Sequence, residues 1–300
     1  MPEFDSVQQV ISKFDAQGYI CGPEIATPVY LMDQLGKPIL VEGPPGVGKT
    51  EIAKTLASAL NRRLIRLQCY EGLDESKALY EWEYTKQLLY TQMLKDRIGE
   101  LLEDTKTVGE AVEILNTQDS AFFSEHFLLP RPLLQAILSP DPVVLLIDEV
   151  DRSDDEFESF LLEVLSDFQV SIPELGTLGA RQRPFVVLTS NANRNLSEAL
   201  RRRCLYLYID YPGSEQETAI VLRRAPDIGE DLAAQIVRFT QKVRAVNLRK
   251  PPSISETIDW ALALLVLNAG SLSKEVLNDT LHVLLKDKED IDRIMREDLK

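Results

Sequence analysis

The consecutive residues Gly43-Pro44-Pro45-Gly46-Val47-Gly48-Lys49-Thr50 carry the spacing G-x-x-x-x-G-K-T. That spacing suits the binding of a polyphosphate. Glycines let successive backbone N–H groups turn inward around a phosphate, the lysine brings positive charge to the outer phosphates, and the hydroxyl after it can ligate Mg²⁺. The apolar run Pro38-Ile39-Leu40-Val41 precedes the loop and the helical text Glu51-Ile52-Ala53-Lys54-Thr55-Leu56-Ala57 follows it, so the strand, loop and helix order that the chemistry needs is met. The expected nucleotide contacts are Gly43, Pro45, Gly46, Val47, Gly48, Lys49, Thr50 and Glu51.

A second element complements the first. Val143-Val144-Leu145-Leu146-Ile147 is wholly apolar, which fits a central parallel strand buried on both faces, and it ends in Asp148-Glu149. A carboxylate at the end of such a strand, here Asp148, is placed to hold Mg²⁺ beside Thr50, directly or through water. Glu149 is then positioned to polarise an attacking water, so the pair points to hydrolysis of a nucleotide rather than its storage. Asp151, Asp154 and Asp155 beyond it read as a solvated acidic turn.

The elements that must position these groups alternate between strand and helix signals from about residue 38 to residue 209. Besides the two runs above, Leu64-Ile65-Arg66-Leu67, Phe185-Val186-Val187-Leu188 and Leu205 to Ile209 read as strands, with helices between Ser76 and Ile137 and from Asp154 to Ser166. Such alternation predicts an α/β fold, a parallel sheet flanked by helices. After Tyr211-Pro212-Gly213-Ser214 only helical patterns follow, so the chain divides into an α/β domain over 1–211 and a small all-helical domain over 212–300. Ser253-Ile254-Ser255-Glu256 has the capping-box spacing, and Ile254, Ile258, Ala261, Leu262 and Leu265 then fall on one helical face. Between 73 and 120 the chain carries an insertion with Trp82, Tyr84 and Tyr90, then an apolar stripe of Leu89, Met93, Leu94, Ile98, Leu101 and Leu102, with a charged tract from Glu100 to Glu113 as its wet face.

Composition narrows the function classes. An apolar content of 44% in 300 residues is ample for a packed core. No run is long and apolar enough to cross a bilayer, and Glu3 and Asp5 stand where a signal peptide would be basic, so the expected location is cytoplasmic. Cys21, Cys69 and Cys204 are too few and too far apart for a zinc site and read as small buried hydrophobes. With 48 acidic against 33 basic side chains the net charge is −15, which repels a phosphate backbone, so no nucleic-acid partner is expected.

Further along, the strand at Phe185-Leu188 ends in Thr189-Ser190-Asn191, and Leu196-Ser197-Glu198-Ala199-Leu200-Arg201-Arg202-Arg203-Cys204 leads into the next strand. Taken in order, these texts resemble the MoxR family of AAA+ ATPases over about residues 22–285. Phe127 to Leu134 resembles that family's insert before the acidic strand, and Gln169-Val170-Ser171-Ile172 with Pro184-Phe185 resembles its hairpin. Gln68 to Asp74 and Ala78 to Trp82 resemble the CoxD branch, which assists maturation of carbon monoxide dehydrogenase.

The resemblance implies ATP and Mg²⁺ as cofactors, with Glu149, Asn191 and Arg203 as catalytic residues and Thr50 and Asp148 as metal ligands. Asn191 would be the first sensor, and Arg203, or else Arg202, would reach into a neighbour's ATP. It implies adenine near Tyr19, Ile20 and Gly22. It further implies a homo-oligomeric ring, a hexamer, acting as a chaperone-like motor on a protein client such as a metalloenzyme, beside a partner with a von Willebrand factor type A domain. One departure stands out. The second-sensor arginine expected at the start of the capped helix is missing from Pro252-Ser253-Ile254-Ser255-Glu256, with Arg244, Arg249 and Lys250 as nearby substitutes. Two other classes share parts of the pattern: a P-loop kinase for a small molecule, and a DNA-directed AAA+ protein, which the acidic balance disfavours.

Overall fold

A computed structural model describes residues 2–93, 107, 127–173 and 175–297. Two helices, α1 (Val7–Ala16) and α2 (Pro23–Leu35), precede β1 (Ile39–Glu42). The glycine-rich loop then leads into α3 (Lys49–Ala59) and β2 (Leu64–Gln68). Short elements follow: α4 (Glu75–Ala78), β3 (Tyr80–Trp82), α5 (Tyr84–Met93), β4 (Leu128–Pro130) and α6 (Pro132–Leu138). Next come β5 (Val144–Asp148), α7 (Asp155–Asp167), β6 (Gln169–Ile172), β7 (Gly176–Gly179), β8 (Phe185–Ser190), α8 (Glu198–Arg203) and β9 (Leu205–Tyr208). The described chain ends in α9 (Ser214–Arg224), α10 (Glu230–Ala245), α11 (Ile254–Val266), α12 (Lys274–Leu284) and α13 (Lys288–Arg296).

Five strands form one parallel sheet in the order β2-β5-β8-β1-β9. Side chains alternate between its faces, as strand geometry requires. Leu145 and Ile147 of β5 pack into a cluster with Leu134 of α6 and Leu161 of α7. Val144 and Leu146 face the other way, into a cluster with Phe14 of α1, Val29 of α2 and Ile52 of α3. Both faces are thus covered, which is why β1 and β5 are buried throughout and read as apolar runs up to their terminal Glu42 and Asp148. Burying each such side chain contributes about 1.5–3 kcal/mol.

The register sets the site. Gln68 lies opposite Asp148, and Glu42 lies opposite both Ser190 and Tyr208, so the polar residues leave the sheet at a common carboxyl edge. Because β1 sits between β8 and β9, the loops after these strands open a crevice at that edge, the usual ligand position in such sheets.

Beyond Pro212 the helices build a third cluster, centred on Trp260, which is fully buried and donates from Nε1 to Thr280 Oγ1 at 2.8 Å. On that ground we propose the division into 1–211 and 212–300. The capping box at Ser253 and Glu256 is present. The buried face of α11 differs from the expected one: Trp260, Ala261 and Leu264 enter the third cluster, while Leu262 is exposed. Ile254 and Ile258 turn instead onto the α/β body.

The expected hairpin forms with a different second strand, because β6 pairs with β7, Ile172 opposite Gly176. Phe185 belongs to β8, where its apolar run fits the central sheet. A second antiparallel pair, β3 with β4, sets Trp82 opposite Leu128. The expected stripe from Leu94 to Leu102, and all of the charged tract except Thr107, lie outside the described residues.

Candidate nucleotide site

The glycine-rich loop is shaped by close backbone approach. Gly43 has φ +156, and a β-carbon on it would fall 2.0 Å from the carbonyl oxygen of Ile209. Gly46 and Gly48 have φ +72 and +93, a region that other residues enter only with strain. Gly48 is also the N-cap of α3 and offers no side-chain acceptor to the first amides of that helix. The amides at this helix start and the helix dipole favour an anion.

Lys49 opens α3 and is buried. Its Nζ donates to the carbonyl oxygens of Gly43 at 2.8 Å and Pro44 at 2.7 Å, and to Asn191 Oδ1 at 2.7 Å. Burial pushes the ammonium pKa down, against the pull of Asp151, Asp148 and Glu149.

Asp148 Oδ1 accepts from Thr50 Oγ1 at 3.0 Å and from Thr189 Oγ1 at 2.6 Å. Its Oδ2 accepts from Arg66 Nε at 3.1 Å and Nη2 at 2.5 Å. Glu149 holds a left-handed backbone, φ 56, rare outside glycine and asparagine and a mark of strain kept at functional sites. Its N–H donates to Thr189 Oγ1 at 2.9 Å, so one hydroxyl ties both acidic residues to β8. The Glu149 carboxylate accepts from Gln68 Nε2 at 3.0 Å, Arg152 Nη1 at 2.9 Å and Asn191 Nδ2 at 3.4 Å.

Asp151 is buried and not solvated as expected. It accepts from the N–H groups of Asn191 at 3.1 Å and Asn193 at 3.0 Å, and from Asn193 Nδ2 at 2.8 Å, pinning the loop after β8. The Asn191-Ala192-Asn193 text was the signal that could have found it, since two amides near a buried acid suit such a clamp.

The oxygens of Thr50 and Asp148 stand side by side, with a guanidinium already balancing the carboxylate. Among the described residues no group of three or more His, Cys, Asp or Glu could hold a metal alone. One carboxylate and one hydroxyl fit Mg²⁺, which binds through one or two carboxylates plus substrate phosphates.

A cavity of about 660 Å³ adjoins the loop, lined among others by Tyr19, Ile20, Gly48, Tyr211, Arg224 and Ile258. Its size suits a nucleotide. Of the residues where the resemblance implies adenine, Tyr19 and Ile20 line it and Gly22 does not, while Gly18 does. Arg224, which sequence reasoning missed, reaches in from α9 and donates to Glu51 Oε1 at 3.2 Å. None of the substitutes considered for a second sensor lines the cavity. Arg244 donates to Glu217 from Nη1 and Nη2 at 2.7 Å each, Arg249 pairs with Glu289, and Lys250 is exposed and does not line the cavity.

The three arginines of α8 part company. Arg201 forks onto Glu42 at 3.0 and 2.9 Å, Arg202 pairs with Glu198 in solvent, and Arg203 donates to Ser166 Oγ at the end of α7. None of them lines the cavity.

Residues 38–204 match the AAA domain, dynein-related subfamily, over more than half of the chain. The chain belongs to this family, and its class is that of an AAA+ ATP hydrolase. An uncharacterized protein of Staphylococcus aureus (strain USA300) is 24% identical over 240 residues, 78% of this chain and 77% of its own length. Midasin of Dictyostelium discoideum is 28% identical over 94 residues, 31% of this chain and 2% of midasin. Lon protease of Protochlamydia amoebophila is 29% identical over 120 residues, 34% of this chain and 14% of the protease. The chain thus spans a small part of the length of midasin and of Lon. The Thermotoga maritima RuvB Holliday junction branch migration motor aligns at 19% identity over 95% of this chain and 69% of that chain, with a TM-score of 0.44.

Proposed function

We propose that the chain is a MoxR-type motor of the cytoplasm that hydrolyses ATP with Mg²⁺ in a homo-oligomeric ring, a hexamer, and remodels a protein client. The observation that carries the catalytic part is the Asn191 amide: its oxygen accepts from Lys49 and its nitrogen donates to Glu149. One side chain thereby joins the residue that meets the outer phosphates to the one that meets water.

In this reading Gly43 to Thr50 and Glu51 surround the phosphates, and the Lys49 ammonium, leaving the loop carbonyls, turns to the β- and γ-oxygens. Thr50 and Asp148 would hold Mg²⁺, which would supply positive charge to the phosphates. Glu149 takes a proton from the attacking water, and Asn191 orients that water against the γ-phosphate. Arg224 carries the helical domain's cation into the cavity. Arg203, outside its own cavity and on the surface, stabilises the transition state in the next subunit. The client side of the reading rests on the CoxD-like text at Gln68–Asp74 and Ala78–Trp82, which points to a metalloenzyme such as carbon monoxide dehydrogenase and a von Willebrand factor type A partner. The net charge of −15 disfavours nucleic acid, and no described helix is long and apolar enough to cross a membrane.

Calorimetry with Lys49→Ala and Glu149→Gln tests the division of labour. The first loses ATP affinity, while the second binds ATP and stalls, retaining the client in a pull-down. Equal loss of affinity in both removes the role given to Glu149; a pull-down of nucleic acid alone removes the protein client.

A further inference from the structure

A charged side chain beside the acidic pair is not explained by the roles above. Arg66 stands on β2, two residues before Gln68, so both project from one face of the sheet, beside Asp148, which pairs with Gln68. Its guanidinium donates twice to Asp148 Oδ2 and once to Gln68 Oε1, and Gln68 in turn donates to Glu149 Oε2. The Asp148 side chain is 4% exposed, whereas that of Arg66 is 51% exposed.

The asymmetry matters. A carboxylate so deeply buried needs a counter-charge, and Arg66 supplies it when no metal is bound. A divalent cation on the same carboxylate would stand within a few ångströms of the guanidinium, and two such charges repel. Arg66 can yield, because β2 is an edge strand and half of the side chain already lies in water.

We propose that Arg66 is a displaceable counter-cation at Asp148, which sets the Mg²⁺ concentration at which the site loads. The inference rests on the reading of Asp148 as a metal ligand. When the guanidinium swings out, Gln68 also loses its partner, and its hold on Glu149 loosens. Arrival of the metal is thereby linked to release of the carboxylate that polarises water, with Arg66 and Gln68 as positioning residues.

The test needs no turnover. Binding of a fluorescent ADP analogue is titrated with Mg²⁺, and Mn²⁺ binding is followed by electron paramagnetic resonance, for the wild type, Arg66→Gln, Arg66→Lys and Asp148→Asn, each first checked for a native melt. Arg66→Gln should lower the metal midpoint about two- to fivefold, the size of an ion pair with one half-exposed partner. Arg66→Lys, which keeps the charge, should stay near the wild type, and Asp148→Asn should raise the midpoint. A curve for Arg66→Gln that coincides with the wild type, or moves to higher metal while Asp148→Asn behaves as stated, overturns the role of Arg66 alone. A flat response in Asp148→Asn overturns the metal reading of Asp148 and this inference with it.

Discussion

Ser253 stands against the α-carbon of Gly46: a β-carbon on that glycine would lie 2.2 Å from Ser253 Oγ and 2.3 Å from Ser253 Cβ. Ser253 is also the N-cap of α11. The capped helix of the helical domain therefore begins on the phosphate loop itself.

Gly46→Ala should destabilise the protein in two separable ways. The left-handed backbone adds about 1–2 kcal/mol for any residue with a β-carbon. Collision with Ser253 adds more, and only that part should return in Gly46→Ala/Ser253→Gly, since glycine as an N-cap itself costs only a few tenths of a kcal/mol, roughly. Denaturant melts of the four proteins make the cycle, and strictly additive effects would show that the two residues do not touch.

The Arg244–Glu217 pair makes a second cycle. Glu217 is fully buried and Arg244 nearly so, and the pair also takes in Thr257, Gln241 and the carbonyl of Pro252. Removing either partner, as in Arg244→Met or Glu217→Gln, should cost about 3–5 kcal/mol because the other charge stays buried and unpaired. Arg244→Met/Glu217→Leu should lose less than the sum. Thermal unfolding distinguishes the outcomes, and losses under 1 kcal/mol, roughly the range of a surface pair, would mean the pair is solvated.

Arg203 is the place to test the ring. Arg203→Ala should bind ATP and hydrolyse it slowly, with a loss of ~10³-fold or more if it acts as an arginine finger. Mixed with Lys49→Ala, it should regain part of its turnover, because some interfaces then join a working pocket to a working arginine. Turnover no greater than the sum of the two variants, with subunits demonstrably exchanging, would reject action in trans and move the test to Arg202.

The thiols should be inert at neutral pH. Burial raises Cys21 to about 11 and both Cys69 and Cys204 to about 12, and the acids around Cys69 push the same way. Raised values leave the protonated form dominant below pH 11, so alkylation at pH 8 should be slow in the native protein and fast in denaturant. Rapid native labelling at Cys69 would mean that the crevice beside Asp148 opens readily.

The groups proposed to act on a nucleotide were legible because each sits at a strand end whose apolar run marks it. Lys49 follows β1, Asp148 ends β5 and Asn191 follows β8, and the structure brings all of them to one edge. What escaped were partners supplied across the sheet. Nothing local to Arg66 or Arg224 says which carboxylate it meets; for Arg66 the answer lies in the pairing of β2 with β5, and for Arg224 in the docking of α9 beside the loop. Asp151 was misread for the same reason, as acids in a row after a strand look solvated until the loop after β8 folds over one of them. The face of α11 was blurred because two clusters share it, so no single stripe describes its burial.

That sharing gives α11 the properties of a lever. Its foot rests on Gly46, and farther along Trp260 and Leu264 are gripped by the other helices. Thirteen residues at 1.5 Å rise make a rod of about 20 Å, so a tilt of about 5° about the foot moves its tip by ~1.7 Å. Any displacement at the foot that tilts the rod by this much would therefore shift its outer end by more than a bond length.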